Sequence, residues 1–244
     1  MSIFKKILKF FLSLRTAIWL ILALLFLLLY GSFIMPVRPE FRALHEIPLF
    51  QWMVEHPSPA TWWLWGSICV LSILTTNTLI CSIESVVRRR EARQWLLIIS
   101  PQIIHIGFLF ILLAHLLSSY GGIKGMAFAY KDSMFQLPNG LEVIFDEVNA
   151  EVSASGYIHD WSSNIRYFEN GNFIASDTIR PNVPSFRKGI GIYIKEVRIA
   201  PFPVALIEVS REPGAIWALI GGVLFLAGMI MLLALRIRRE ETRI

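Results

Sequence analysis

WLLIISPQIIHIGFLFILLAHLLSSY, residues Trp95 to Tyr120, is the stretch whose reading decides the fold. It is long enough to cross a bilayer as one helix, and it holds His105 and His115 inside an otherwise mostly apolar run. Ionisable side chains at membrane depth are costly and face a bundle interior or a partner rather than lipid. Ten helical residues put the two imidazoles about 15 Å apart along the axis and roughly 80° apart around it, so they do not share one metal. The residues alone leave two uses open. A neutral imidazole can hydrogen-bond across a helix interface to Ser, Thr or Asn of a neighbouring span, with a net effect of about 0.6 to 2 kcal/mol. Alternatively a ring nitrogen can ligate haem iron.

The rest of the chain agrees with a membrane location. Of its 244 residues 55% are hydrophobic and the mean hydropathy is +0.57, which fits a small polytopic membrane protein. Four spans are expected, at about 17–35, 61–83, 95–120 and 214–235. The net charge of +5 does not signal nucleic acid, because the charges are sorted by side. Lys5, Lys6, Lys9 and Arg15, then Arg88, Arg89, Arg90 and Arg93, then Arg236, Arg238, Arg239 and Arg243 all flank the spans at one membrane face. Only four acids accompany these twelve bases: Glu84, Glu91, Glu240 and Glu241. The opposite face carries a net negative charge, so the positive-inside rule puts both termini in the cytoplasm and residues 121–213 outside it. No small-residue cleavage site follows the first span, which reads as a retained anchor.

Between the first two spans, residues 36–60 form a Pro-containing loop with His45 and His56, expected as solvated residues, with facing an exposed cofactor as the alternative. Trp62, Trp63 and Trp65 mark the return to the membrane, as an interfacial aromatic belt or as flanks for a flat aromatic ligand. The second span carries Ser72, Thr75, Thr76, Asn77 and Thr78, which are expected to face other helices. Cys69 and Cys81 are the only cysteines, twelve residues apart in one span, so no disulfide joins them. The absence of CxxC and CxxCH excludes a thiol oxidoreductase of that type and a c-type cytochrome.

After the third span the pattern changes from helical to β. Segments 141–148, 164–169, 191–199 and 204–209 are rich in β-branched and aromatic residues and partly alternate. PNG at 138–140 and ENG at 169–171 read as hairpin turns. The expected fold is therefore a membrane protein of mixed α+β class: four transmembrane helices, with a small antiparallel β domain, sandwich or open barrel, between the third and fourth. Its parts are a three-helix membrane region (1–120), an extracytoplasmic β domain (121–213) and a last helix with a cytoplasmic tail (214–244). That domain offers no Ser/His/Asp arrangement, metal-spaced cluster or phosphate loop. Its lone His159, beside Asp160, reads as a surface residue, and no catalytic residue is assigned.

LRTAIWL (14–20), NTLICSIE (77–84), HIGFLFILLA (105–114), DWSSNIRYFENG (160–171) and IRPNVPSFRKGIGIY (179–193), in this order and topology, resemble the ResB/CcsB family of cytochrome c biogenesis. The likeness covers most of the chain, with an exported domain of about 90 residues, smaller than in typical members. The resemblance implies one half of a bacterial inner-membrane complex that carries haem outward to apocytochrome c. It acts there as a non-catalytic or co-catalytic subunit beside a CcsA/ResC-like partner bearing the tryptophan-rich haem-handling motif, absent here. It also implies that His105 is an axial ligand to haem iron, the opposite ligand coming from the partner; His115 is a second candidate without that warrant. A thioredoxin-like reductant is a further implied partner, lipid the surroundings, and nucleic acid none. Two other classes stay open: a haem-bearing respiratory electron-transfer subunit, and a structural membrane anchor without cofactor.

Overall fold

The computed structural model describes residues 3–44, 46–56, 59–88 and 95–241. The chain forms two compact units, Met1–Leu44 with Phe50–Ser119 and Gly214–Ile244, and His45–Leu49 with Tyr120–Pro213.

The first unit is helical. Helix α1 (Ile3–Phe11) is followed by α2 (Leu14–Ile34), a short α3 (Leu49–Glu55), α4 (Trp62–Arg88), α5 (Trp95–Gly121) and, after the β strands, α6 (Ala215–Glu241). Four helical segments, Leu14–Ile34, Pro59–Val87, Trp95–Gly121 and Ala215–Arg239, are long and apolar enough to cross a membrane. They coincide with the four expected spans, with ends that differ by at most four residues. Neither α1 nor α3 was legible in the sequence. The Phe11 carbonyl at the end of α1 accepts hydrogen bonds from Asn77 Nδ2 (2.6 Å) and Cys81 Sγ (3.2 Å) of α4, satisfying an orphan acceptor of the helix terminus.

Glycine decides how these helices approach. A Cβ at Gly31 of α2 would lie 2.5 Å from the Trp63 ring, so only glycine admits that indole. Trp63 is buried and belongs to an aromatic nest with Phe41 (6.3 Å between centroids), while Phe41 stacks on Trp52 at 5.2 Å. His56 stacks on the other partner of that nest, Trp52, at 5.2 Å, with Nδ1 3.1 Å from the Trp52 carbonyl. The expectation of a solvated His56 is thus corrected: ring stacking and a backbone acceptor hold it. The tryptophans divide as well, since Trp62 and Trp65 are exposed as a belt requires and Trp63 is core.

Of the polar residues of α4 expected to face other helices, Asn77 and Thr78 are buried, whereas Ser72 and Thr76 are a correction. Ser67, Ser72, Thr75, Thr76 and Thr78 each donate to the carbonyl four residues earlier in their own helix. A hydroxyl that satisfies itself this way needs no neighbour, and Ser72 and Thr76 are accordingly exposed. The inward face of α4 is Leu74, Asn77 and Thr78, continued at helical spacing by the half-buried Cys81 and Ser82.

The second unit is a two-sheet sandwich. Strands β1 (Ile123–Tyr130), β2 (Ser133–Gln136), β3 (Glu142–Val152), β4 (Ile158–Glu169), β5 (Asn172–Ile179), β6 (Ser185–Arg187), β7 (Ile190–Arg198) and β8 (Val204–Arg211) form sheets ordered β1-β8-β7-β6 and β2-β3-β4-β5, antiparallel throughout. Inward side chains follow the two-residue period: Val143 and Phe145 on β3, Ile165 and Tyr167 on β4, Ile190, Ile192 and Ile194 on β7, Ala205 and Ile207 on β8. A bulge between Phe145 and Glu147 shifts the phase, so the next inward residue is Val148 rather than an odd-numbered one. The ENG turn has Asn170 and Gly171 both at positive φ (51° and 78°), the conformation a two-residue hairpin of this hand requires.

A polar chain ties the two sheets together. Tyr167 Oη donates to Ser185 Oγ (2.8 Å), Ser185 donates to Asp177 Oδ2 (2.6 Å), and Arg187 Nη2 lies 3.2 Å from the same oxygen. Tyr167 and Asp177 belong to one sheet, Ser185 and Arg187 to the other. Burial pushes the Tyr167 phenol above its ordinary range and nearby Asp177 adds to the rise, partly offset by the Ser185 bond and Arg187.

Candidate functional site

Helix α5 is held from two sides. On one, α6 lies backbone against backbone: a Cβ at Gly107 would meet Phe225 N at 2.5 Å and Gly221 O at 2.7 Å, and one at Gly228 would meet Ile104 N at 2.9 Å. Such close approach is how membrane helices associate where lipid supplies no hydrophobic driving force between them. Phe110 stacks on Trp217 at 5.6 Å, and Gly214 N donates to Ser118 Oγ at 3.3 Å.

His105 lies two residues before Gly107, about 200° around the helix and so nearly opposite the α6 contact. There it meets α4: Ser82 Oγ and His105 Nδ1 are 2.8 Å apart. The imidazole is half-buried, and among the described residues Nε2 has no hydrogen-bond partner, nor is it sealed inside the protein. One nitrogen is fixed and the other is open. One turn earlier, Pro101 leaves the Leu97 carbonyl without its helical donor, and the buried Ser100 Oγ and Gln102 Oε1 have no partner among the described residues. The turn of α5 before His105 thus also carries polar groups without partners among the described residues.

The other histidines are not brought to this place. His115 is exposed, on the same helix about 15 Å further along. His56 is held in the aromatic nest, and His159 sits on the sandwich with Nε2 3.3 Å from Glu151. His45 lies outside the described residues. Among the described residues no three His, Cys, Asp or Glu side chains are grouped to hold a metal ion. Among the described residues the donor set around His105 would offer a haem iron a single imidazole nitrogen and no second ligand.

Ser82 was missed by sequence reasoning. Its signal was the spacing Leu74, Asn77, Thr78, Cys81, Ser82, which is one face of a helix; five self-bonded hydroxyls in the same span obscured it.

No family model matches the chain, and no curated protein sequence matches it. Among solved structures the chain is similar to cytochrome c heme lyase CcmF, with a TM-score of 0.45 and 14% identity over 91% of this chain and 35% of that one. The chain thus spans about a third of that neighbour's length. A likeness this shallow assigns neither family nor activity to the chain, which rests on its own features: a membrane protein with four spans, an antiparallel sandwich and one oriented intramembrane imidazole.

Proposed function

We propose that this chain is a membrane subunit of a cytochrome c biogenesis complex, holding haem through His105 where it meets a CcsA/ResC-like partner, for attachment to apocytochrome c. The observation that carries the reading is the imidazole fixed at Nδ1 by Ser82 with Nε2 left open. A histidine serving only to tie α4 to α5 satisfies that purpose with one nitrogen, and an open second nitrogen at membrane depth calls for a further partner. The resemblance of its ordered motifs to the ResB/CcsB family supports haem as that partner.

In this reading both termini are cytoplasmic, in the bacterial inner membrane, and residues 121–213 work outside the cytoplasm. Bound haem supplies an iron with two axial positions. His105 would hold that iron from this chain, with the remaining ligand supplied by the partner subunit. Counted from the basic end of α5, His105 lies about 15 Å in, nearer the cytoplasmic face than the outer one. The residue therefore receives haem on its way outward rather than presenting it to apocytochrome. Forming the thioether bonds belongs to the complex, and the thiols would be kept reduced by a thioredoxin-like protein.

The test is His105→Ala in the chain co-purified with its partner, with haem measured as the pyridine haemochrome. Loss of haem or a shifted absorption spectrum is expected. Full haem content with an unchanged spectrum overturns the reading and leaves His105 as a packing residue.

A further inference from the structure

Ser82 departs from its neighbours. Five hydroxyls along α4 turn back to their own helix, whereas Ser82 Oγ is directed across to His105 Nδ1 at 2.8 Å. We propose that Ser82 is the positioning residue of His105: its hydroxyl oxygen accepts a hydrogen bond from Nδ1–H, aims Nε2 away from α4, and sets how strongly that nitrogen binds haem iron. The inference rests on the haem reading of His105 and deepens it.

The chemistry fixes the direction of the bond. A ring nitrogen that binds iron must be unprotonated, so the imidazole proton sits on Nδ1 and Ser82 Oγ is the acceptor. Metal-binding histidines commonly donate their second N–H to a carboxylate, a backbone carbonyl or water, and a strong acceptor raises the basicity of the ligating nitrogen. A neutral hydroxyl is a weaker acceptor than a carboxylate, which would also be costly to keep charged at membrane depth. The pair is therefore built to orient the ring while leaving it a moderate ligand. Such a ligand suits a haem that must be passed on.

Opposite substitutions separate this role from mere packing. In the complex co-purified with its partner, Ser82→Ala, Ser82→Thr and Ser82→Asp are compared for the haem reduction potential and for the rate of haem loss to excess apomyoglobin. Ser82→Ala is expected to raise the potential and speed haem loss by about 10-fold, the lower end of the effect of losing such an acceptor. Ser82→Thr keeps the hydroxyl and restores both values. Ser82→Asp lowers the potential and slows the loss. A structural contact alone would make Ala and Asp loosen the site in the same direction, and that outcome overturns the proposal, as does an unchanged potential in both. If His105→Ala abolishes haem binding while the Ser82 variants behave as wild type, only the Ser82 role fails. If His105→Ala leaves haem unchanged, the haem reading itself fails.

Discussion

The sandwich and the helical unit solve the same problem, the burial of polar groups, in opposite ways. In the sandwich polar side chains satisfy one another: Tyr167, Ser185, Asp177 and Arg187 form a chain between sheets, and Arg166 grips the bulged Asp146 through Nε (2.8 and 2.9 Å) and Nη2 (2.6 Å). Glu208, almost fully buried, is met by Lys124 at 3.0 Å and Lys195 at 3.3 Å. In the helical unit most hydroxyls satisfy themselves, and the helices meet at glycine, while large apolar side chains such as Trp19, Phe26 and Ile230 stay exposed. Water drives the first arrangement by expelling apolar surface. Lipid drives no such collapse, so backbone fit and a few polar ties hold helices together. Against that sparse background, a side chain with an unpartnered ring nitrogen such as that of His105 stands out, whereas the denser polar chain of the sandwich is architecture.

The sharpest way to break the contrast is at the glycine seam. Gly107→Leu drives a side chain into the Phe225 backbone, which cannot yield as a flexible side chain would. Overpacking of this kind costs about 1 to 3 kcal/mol or more, and the expected result is a large fall in thermal stability in detergent with α6 displaced. Gly222 has nothing within 4 Å of an added Cβ. Gly222→Ala therefore leaves stability unchanged or raises it by up to about 1 kcal/mol through helix propensity; equal damage from both substitutions would refute seam packing.

Within the sandwich, Tyr167→Phe removes one link between the sheets and leaves buried Ser185 with its bond to Asp177 alone. A loss of about 1 to 2 kcal/mol is expected, localised to residues 121–213 in hydrogen exchange on the whole chain. No change in the helical unit's exchange should accompany it.

The same phenol gives the sandwich an alkaline limit. Its pKa is raised in the fold, so the unfolded chain ionises first, near the ordinary value of about 10. The stabilisation is complete below that pH and declines as pH rises through it toward the folded value. Thermal unfolding between neutral pH and strongly alkaline conditions should show this decline in wild type and lose part of it in Tyr167→Phe. The smallest effect is reserved for His159→Ala, which removes an exposed pair with Glu151. Neither stability nor haem content should move, and a drop in haem would shift attention from α5 to the sandwich.

Much of the architecture was legible before the structure. Four spans and the β domain follow from runs of apolar residues and from the change of period after Tyr120, and ENG supplied a hairpin because its Asn and Gly tolerate positive φ. Strands β1, β2, β5 and β6 were not read, since two are three or four residues long and the other two carry Gly, Lys or Asp among few β-branched residues. Ser72 and Thr76 of α4 were misread because sequence shows that a hydroxyl is present and not whether the carbonyl four residues back already accepts its hydrogen bond.

The motifs at 160–171 and 179–193 have a plain physical content: they hold Arg166, Tyr167, Ser185 and Arg187, which pair across strands and sheets, with Asp177 between the motifs as the shared acceptor of Ser185 and Arg187. The linear chain determined which segments enter lipid, where the β strands concentrate, and that a histidine lies at membrane depth, because these depend on composition and period along one segment. Which hydroxyl meets that histidine, and which glycines lie against a neighbouring backbone, only the tertiary structure decided. Ser82 and His105 are 23 residues apart and Gly107 and Phe225 more than a hundred. Their meeting depends on the rotation and depth of whole helices, which no local pattern encodes.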